Sequence, residues 1–125
     1  MAITLTSLSD LAAHGFDDII DARAPAEYAE DHLPNAISLP VLNDAQRAEV
    51  GTIYKQVNPF TARKLGAALV AQNVATHLQT VLADKPGGWR PLVYCWRGGQ
   101  RSGSFALILS QVGWRVETIA GGYKA

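Results

Sequence analysis

Residues Tyr94 to Ser102 read YCWRGGQRS and hold the one cysteine of a 125-residue chain. A thiol followed at once by a glycine pair, two arginines and a hydroxyl is a set of groups suited to handling an anion. Gly98 and Gly99 permit positive φ, so the five residues Trp96-Arg97-Gly98-Gly99-Gln100 can curl with successive backbone N–H groups pointing inward. Arg101 adds a planar fork of donors matched to an oxyanion, and a helix expected to begin near Ser102 adds the partial positive charge of its first turn. An ordinary cysteine titrates near ~8.5, and helix N-termini with nearby cations bring it to ~3.5–7.5, which predicts a thiolate at Cys95. The same groups would stabilise a terminal sulfur or selenium anion carried on that residue. A lone cysteine is more often an inert packing residue. The glycine pair, Arg101 and the helix start together favour the reactive reading.

Two other chemistries fit less well. Gly98 and Gly103 have the spacing of phosphate-loop glycines, but Ser104-Phe105 stands where Lys and Ser/Thr are required. His14, His32 and His77 are far apart and outside any carboxylate-helix motif, which points to solvated or structural roles. No metal and no cofactor are expected.

The elements that must position the thiol follow from the flanking pattern. Pro91-Leu-Val-Tyr-Cys95 reads as a strand, Ser102 to Val112 as a helix ended by Gly113, and Arg115 to Ile119 as a last strand. Upstream, Ser7 to Gly15 reads as a short capped helix and Phe16 to Asp21 as a buried strand that places Asp21 at its carboxyl end. Ala24 to His32 has helical composition, and a second short strand, Ile37 to Leu39, closes at Pro40. Asn43 to Gln56 reads as a polar helix. Asn58-Pro59 then offers a cap and a first-turn proline for a long helix. Its apolar face, Leu65, Leu69, Val74, Leu78 and Leu82, continues until Pro86-Gly87-Gly88. Strands separated by helices imply parallel pairing and a three-layer α/β domain, a central mainly parallel sheet flanked by helices. Cys95 then lies beyond the carboxyl end of a strand, where open parallel sheets gather their ligands.

Composition bounds the rest. The length and the 48% apolar content suit one domain over residues 1–125. Eleven basic residues balance eleven acidic ones, so any contact with RNA must be local. No segment approaches the ~20 apolar residues of a membrane span, and the N-terminus lacks a basic leader, which predicts a cytoplasmic protein without membrane contact.

The chain resembles the rhodanese family of sulfurtransferases over nearly its whole length. Asp21-Ala-Arg23, Glu27-Tyr28 and His32-Leu33-Pro34-Asn35-Ala36-Ile37 carry the first half of the resemblance, and the cysteine loop with Arg101 carries the second. Asp31 and Asn35 stand where glycines are usual in the family, which is expected to alter a turn. The resemblance implies a rhodanese-like fold and a persulfide on Cys95 that passes sulfur from a donor to a nucleophile. Arg101, the residues Trp96, Arg97, Gly98, Gly99, Gln100 and Ser102, and supporting Asp21 and Arg23 would form the site. Common single-domain members place four residues between cysteine and arginine, whereas five stand here, as in protein tyrosine phosphatases. A cysteine phosphatase therefore remains an alternative, as does a docking domain without catalysis.

Gly51-Thr-Ile-Tyr-Lys-Gln56, Ala62-Arg-Lys-Leu-Gly66, the Cys95–Ser102 octet and Gly121-Gly-Tyr-Lys124 most resemble the N-terminal rhodanese domain of the tRNA 2-selenouridine synthases. That resemblance implies replacement of sulfur by selenium in wobble 2-thiouridine, with a small donor such as selenophosphate or a thiosulfate-like ion. It also implies tRNA as partner of an intact enzyme whose C-terminal P-loop domain lies beyond these residues. Arg23 and Glu27 are spaced for a helix-start ion pair. Asp21 either orients the cysteine loop or caps the following helix. Lys55, Arg63 and Lys64 form either a solvated helix face or, with Trp96 and Arg97, a tRNA contact.

Overall fold

The computed structural model describes residues 2–3, 15–95 and 100–119, with side chains described at 15–95 and 104–119. The expected helix from Ser7 lies outside the described residues; Gly15, its expected stop, has a φ of 69°. In chain order the described elements are β1 (Ala2–Ile3), β2 (Asp18–Asp21), α1 (Pro25–Glu30), β3 (Ile37–Ser38), α2 (Asp44–Gln56), α3 (Pro59–Gln79), β4 (Pro91–Tyr94), α4 (Gln100–Val112) and β5 (Glu117–Ile119). The sheet runs β1-β5-β4-β2-β3, and all of its pairings are parallel. β4 is thus the central strand. Asp21 is level with Tyr94 on one side and with Ser38 on the other, so the carboxyl ends of three strands meet at one rim.

The pleat divides the core. Ile20 and Val93 face one layer with Val70 and Val74 of α3 and Phe105 and Leu109 of α4. Ile19, Leu92 and Tyr94 face the other, with Ala36, Leu33 and Tyr28. Burial on both faces explains why DIID and PLVY read as short continuous strands rather than as alternating ones.

Caps fix the helix starts. Asn43 accepts the Gln46 N–H at 2.8 Å while Gln46 Oε1 accepts the Asn43 N–H at 3.0 Å, a reciprocal box that starts α2. The Asn58 side chain accepts the Thr61 N–H at 2.7 Å, and Pro59 follows in the first turn of α3.

Three expected boundaries move. α3 stops at Gln79, well short of Pro86, because the N–H groups of Thr80 and Leu82 both bond the His77 carbonyl and close the helix in a turn. Leu82 therefore reaches the core from that turn, and the fully buried positions of α3 are Ala62, Val70 and Val74. α4 begins at Gln100 rather than Ser102, so Gln100 belongs to the helix and not to the curled loop. The last strand is confined to Glu117–Ile119.

Candidate functional site

Cys95 directly follows β4 and is buried, with 2% of its surface exposed. Only four residues, 96–99, separate it from α4, so the thiol stands at the carboxyl end of the central strand and just before a helix of 13 residues. Trp96, Arg97, Gly98 and Gly99 lie outside the described residues. Gln100, Arg101 and Ser102 form the first turn of α4, where the backbone N–H groups lack intrahelical acceptors. That arrangement of strand end, short loop and helix start is the one required for an anion cradle.

The supporting residues are placed in detail. Asp21 and Arg23 are both wholly buried, and their side chains pair directly. Arg23 donates Nε–H to both Asp21 oxygens at 3.1 Å, Nη2–H to Oδ2 at 2.9 Å, and its own backbone N–H to Oδ1 at 2.8 Å. Arg23 Nη2 also donates to the Asp31 carbonyl at 2.6 Å, which ties the end of α1 to the strand rim. The direct partner of Arg23 is thus Asp21, while the Glu27 carboxylate acts on it through its field. Glu27 turns back to accept the Ala24 N–H at 3.1 Å and lies 3.5 Å from the Arg47 guanidinium. Asp21 caps no helix; it is the counter-ion of Arg23. Burial opposes the guanidinium charge, but the hydrogen bonds and field of Asp21 outweigh it and hold Arg23 above its ordinary value.

Tyr94, the residue before the cysteine, completes this network and was not visible as a functional residue in the sequence. Its buried hydroxyl donates to Asp21 Oδ2 at 2.8 Å and accepts the Leu33 N–H at 3.0 Å, and its ring lies 5.7 Å from the Arg23 guanidinium carbon. Burial pushes the hydroxyl well above its ordinary value; the Leu33 N–H opposes this and the Asp21 carboxylate adds to it. The only sequence signal was a phenol inside an otherwise apolar strand, whose O–H needs a partner once buried.

Asp31 and Asn35, which stand where glycines are usual, take two different backbone conformations around the turn after α1. Asn35 adopts φ 63°, the left-handed conformation that Asn tolerates best after Gly. Asp31 is extended at φ −165°, where any residue fits. Nearby, Tyr28 donates its hydroxyl to the Ala36 carbonyl at 2.6 Å, and the His32 ring stacks on Tyr28 with centroids 3.7 Å apart. His77 donates Nε2–H to the Pro40 carbonyl at 2.7 Å. Both described histidines make structural contacts.

A separate open groove of about 920 Å³ lies among α2, α3 and α4. Arg47, Tyr54, Arg63, Val70, Ser104 and Leu107 are among its walls. Of the basic residues expected to act together, Arg63 lines this groove while Lys55 and Lys64 are simply exposed. No described helix is long and apolar enough to cross a membrane.

Comparison with known proteins agrees with this geometry. The tRNA 2-selenouridine synthase of Nitrosomonas europaea is 42% identical over 120 residues, covering 94% of this chain and 31% of that protein. The corresponding protein of Aeromonas salmonicida is 43% identical over 119 residues, covering 93% of this chain and 32% of that protein. The chain thus spans about a third of the length of these curated relatives. Among solved structures, the N-terminal domain of a protein from Clostridium difficile 630 described as ATP/GTP binding superposes with a TM-score of 0.79 at 35% identity. That match covers 99% of this chain and 94% of the other. An E. coli rhodanese with anions, 24% identical with a TM-score of 0.50 over 86% of this chain and 87% of its own, shares the fold. The family model described as "Rhodanese-like domain" matches residues 4–125, and the chain belongs to that family.

Proposed function

We propose that the chain is a chalcogen-transfer domain in which Cys95 accepts sulfur from an oxyanionic donor and hands it to a nucleophile. The observation that carries this reading is the position of Cys95, buried at the end of the central strand with the first turn of α4 four residues away. With thiosulfate as donor, the Cys95 sulfur attacks the outer sulfur, an S–S bond forms, the bond to the sulfonate breaks, and sulfite leaves with its electron pair. The N–H groups of the loop and of α4, with Arg101, hold the oxyanion as its charge grows. Selenophosphate presents a comparable tetrahedral oxyanion, which the five-residue spacing to Arg101 suits; its selenium is already at the selenide level, so it would bind in the cradle without forming a selenosulfide on Cys95. We assign the chain to the rhodanese part of a tRNA 2-selenouridine synthase, with wobble 2-thiouridine as the eventual acceptor. The relatives of that name support this at about 40% identity over almost the whole chain. Of Lys55, Arg63 and Lys64, we place Arg63 against the RNA backbone, since among these described residues it is the one that lines a concavity that α4 also walls.

Intact-mass measurement after incubation with thiosulfate tests the reading. The expected product is one added sulfur, absent from Cys95→Ala. These residues contain no second thiol to resolve the adduct as an internal disulfide, so the adduct should persist until cyanide or an external thiol discharges it. Rapid hydrolysis of phosphotyrosine analogues without any chalcogen adduct would replace the reading with the phosphatase one.

A further inference from the structure

We infer that Tyr94 is a positioning residue for the Cys95 thiol, an assignment that rests on the transfer reading above. Two other segments converge on its hydroxyl. It donates to Asp21 at the end of β2, 2.8 Å away, and accepts from the Leu33 N–H in the turn after α1, 3.0 Å away. Asp21 is itself clamped by Arg23, which reaches back to the Asp31 carbonyl at 2.6 Å. On the main chain the Tyr94 carbonyl accepts the Ala22 N–H at 2.9 Å. The residue before the thiol is thus held by both its backbone and its side chain.

The consequence for Cys95 follows from the pleat. Successive strand residues point to opposite faces. Tyr94 is anchored on the face of Ile19 and Leu92, which leaves the opposite face, that of Val93, Phe105 and Leu109, for the next residue. Fixing the phenol in roll therefore fixes the direction in which the chain leaves the strand, and with it the direction of Sγ relative to the first turn of α4. A Phe ring would fill the same apolar space, so packing alone does not account for the hydroxyl. Nor is a buried ionic network by itself an efficient source of stability, because burying its charges costs about as much as pairing them returns. Placed one residue from the thiol, its effect is to hold one geometry.

The test compares two reactions of the same sulfur in the 125-residue chain. Loading from thiosulfate uses the oxyanion cradle, whereas alkylation by iodoacetamide, a neutral reagent, does not. Tyr94→Phe keeps the ring and removes both hydrogen bonds. Loading should slow by about 10–100-fold, the scale of a misplacement near 1 Å, while alkylation changes by less than about threefold. Incorporation of 3-fluorotyrosine at position 94 keeps the hydroxyl and should restore loading, which separates loss of the two bonds from general loosening. If loading and alkylation fall together, or if Tyr94→Phe loads at the wild-type rate, the inference is overturned while the transfer reading stands. If wild-type protein takes up no chalcogen at all, the transfer reading fails and this inference fails with it.

Discussion

Arg97 and Arg101 compete for the same task, and their positions in the chain separate them. Arg101 lies in the first turn of α4, and we propose it as the clamp for a donor's oxyanion on that ground. Arg97 precedes the glycine pair. A Lys at position 101 would keep the charge but lose the bidentate fork. Removing one preorganised oxyanion donor typically costs ~10²–10³ in rate, so Arg101→Lys should slow loading from thiosulfate by about that factor with the fold intact. Arg97→Lys should cost distinctly less. Rapid-quench loading measured on both variants decides the assignment, and a larger loss from Arg97→Lys would move the clamp to that residue. Arg23 holds the rim, donating Nε–H and Nη2–H to Asp21 and Nη2–H to the Asp31 carbonyl.

At the scale of elements, the turn after α1 places a non-glycine residue, Asn35, in the left-handed region. Asn35 holds φ 63°, which costs a non-glycine residue roughly 1–2 kcal/mol, less for Asn than for Ala because its short polar side chain bonds locally. Asn35→Ala should therefore lower the unfolding free energy by about 1 kcal/mol, and Asn35→Gly should leave it within a few tenths. Urea unfolding of the two variants checks the order; equal loss in both would mean that the Asn side chain, not the backbone, is what the turn requires. Much of this level was legible in the sequence because its signals are local. The caps at Asn43 and Asn58 and the strands at Ile19 and Leu92 fall where side-chain chemistry puts them. Long-range contacts were not legible. Arg23 is four residues from Glu27, which suits a helix pair, but Asp21 offers a buried carboxylate at 2.9 Å and an ion inside the core must take the partner it is buried with. The end of α3 was missed for a similar reason: Leu82 continues the apolar spacing, yet the core takes it from a turn. For the site, the sequence marked Cys95 and its strand end, whereas the role of Tyr94 depends on partners 61 and 73 residues away.

Across the whole molecule, the rim where β2, β4 and the turn after α1 meet is held by a group whose proton matters. The Tyr94 hydroxyl must stay neutral to donate to Asp21, and burial raises its titration above that of an exposed tyrosine. Up to about pH 10 the phenol is protonated in both native and unfolded chains, and its contribution to stability is complete. Above that value the unfolded chain releases the proton while the native protein keeps it, so the unfolded state binds fewer protons and stability falls as pH rises toward the native titration. Replacing the hydroxyl removes this dependence, although Tyr94→Phe also forfeits its two hydrogen bonds at every pH. Denaturant midpoints measured from about pH 8 to about pH 11 should therefore fall more steeply for the wild-type protein than for Tyr94→Phe, so that the two curves converge at the alkaline end. The other tyrosines and the lysines titrate in both proteins and cancel in the difference. Parallel curves would mean that the phenol titrates alike in the folded and unfolded chain, and that the rim is not held by a neutral Tyr94.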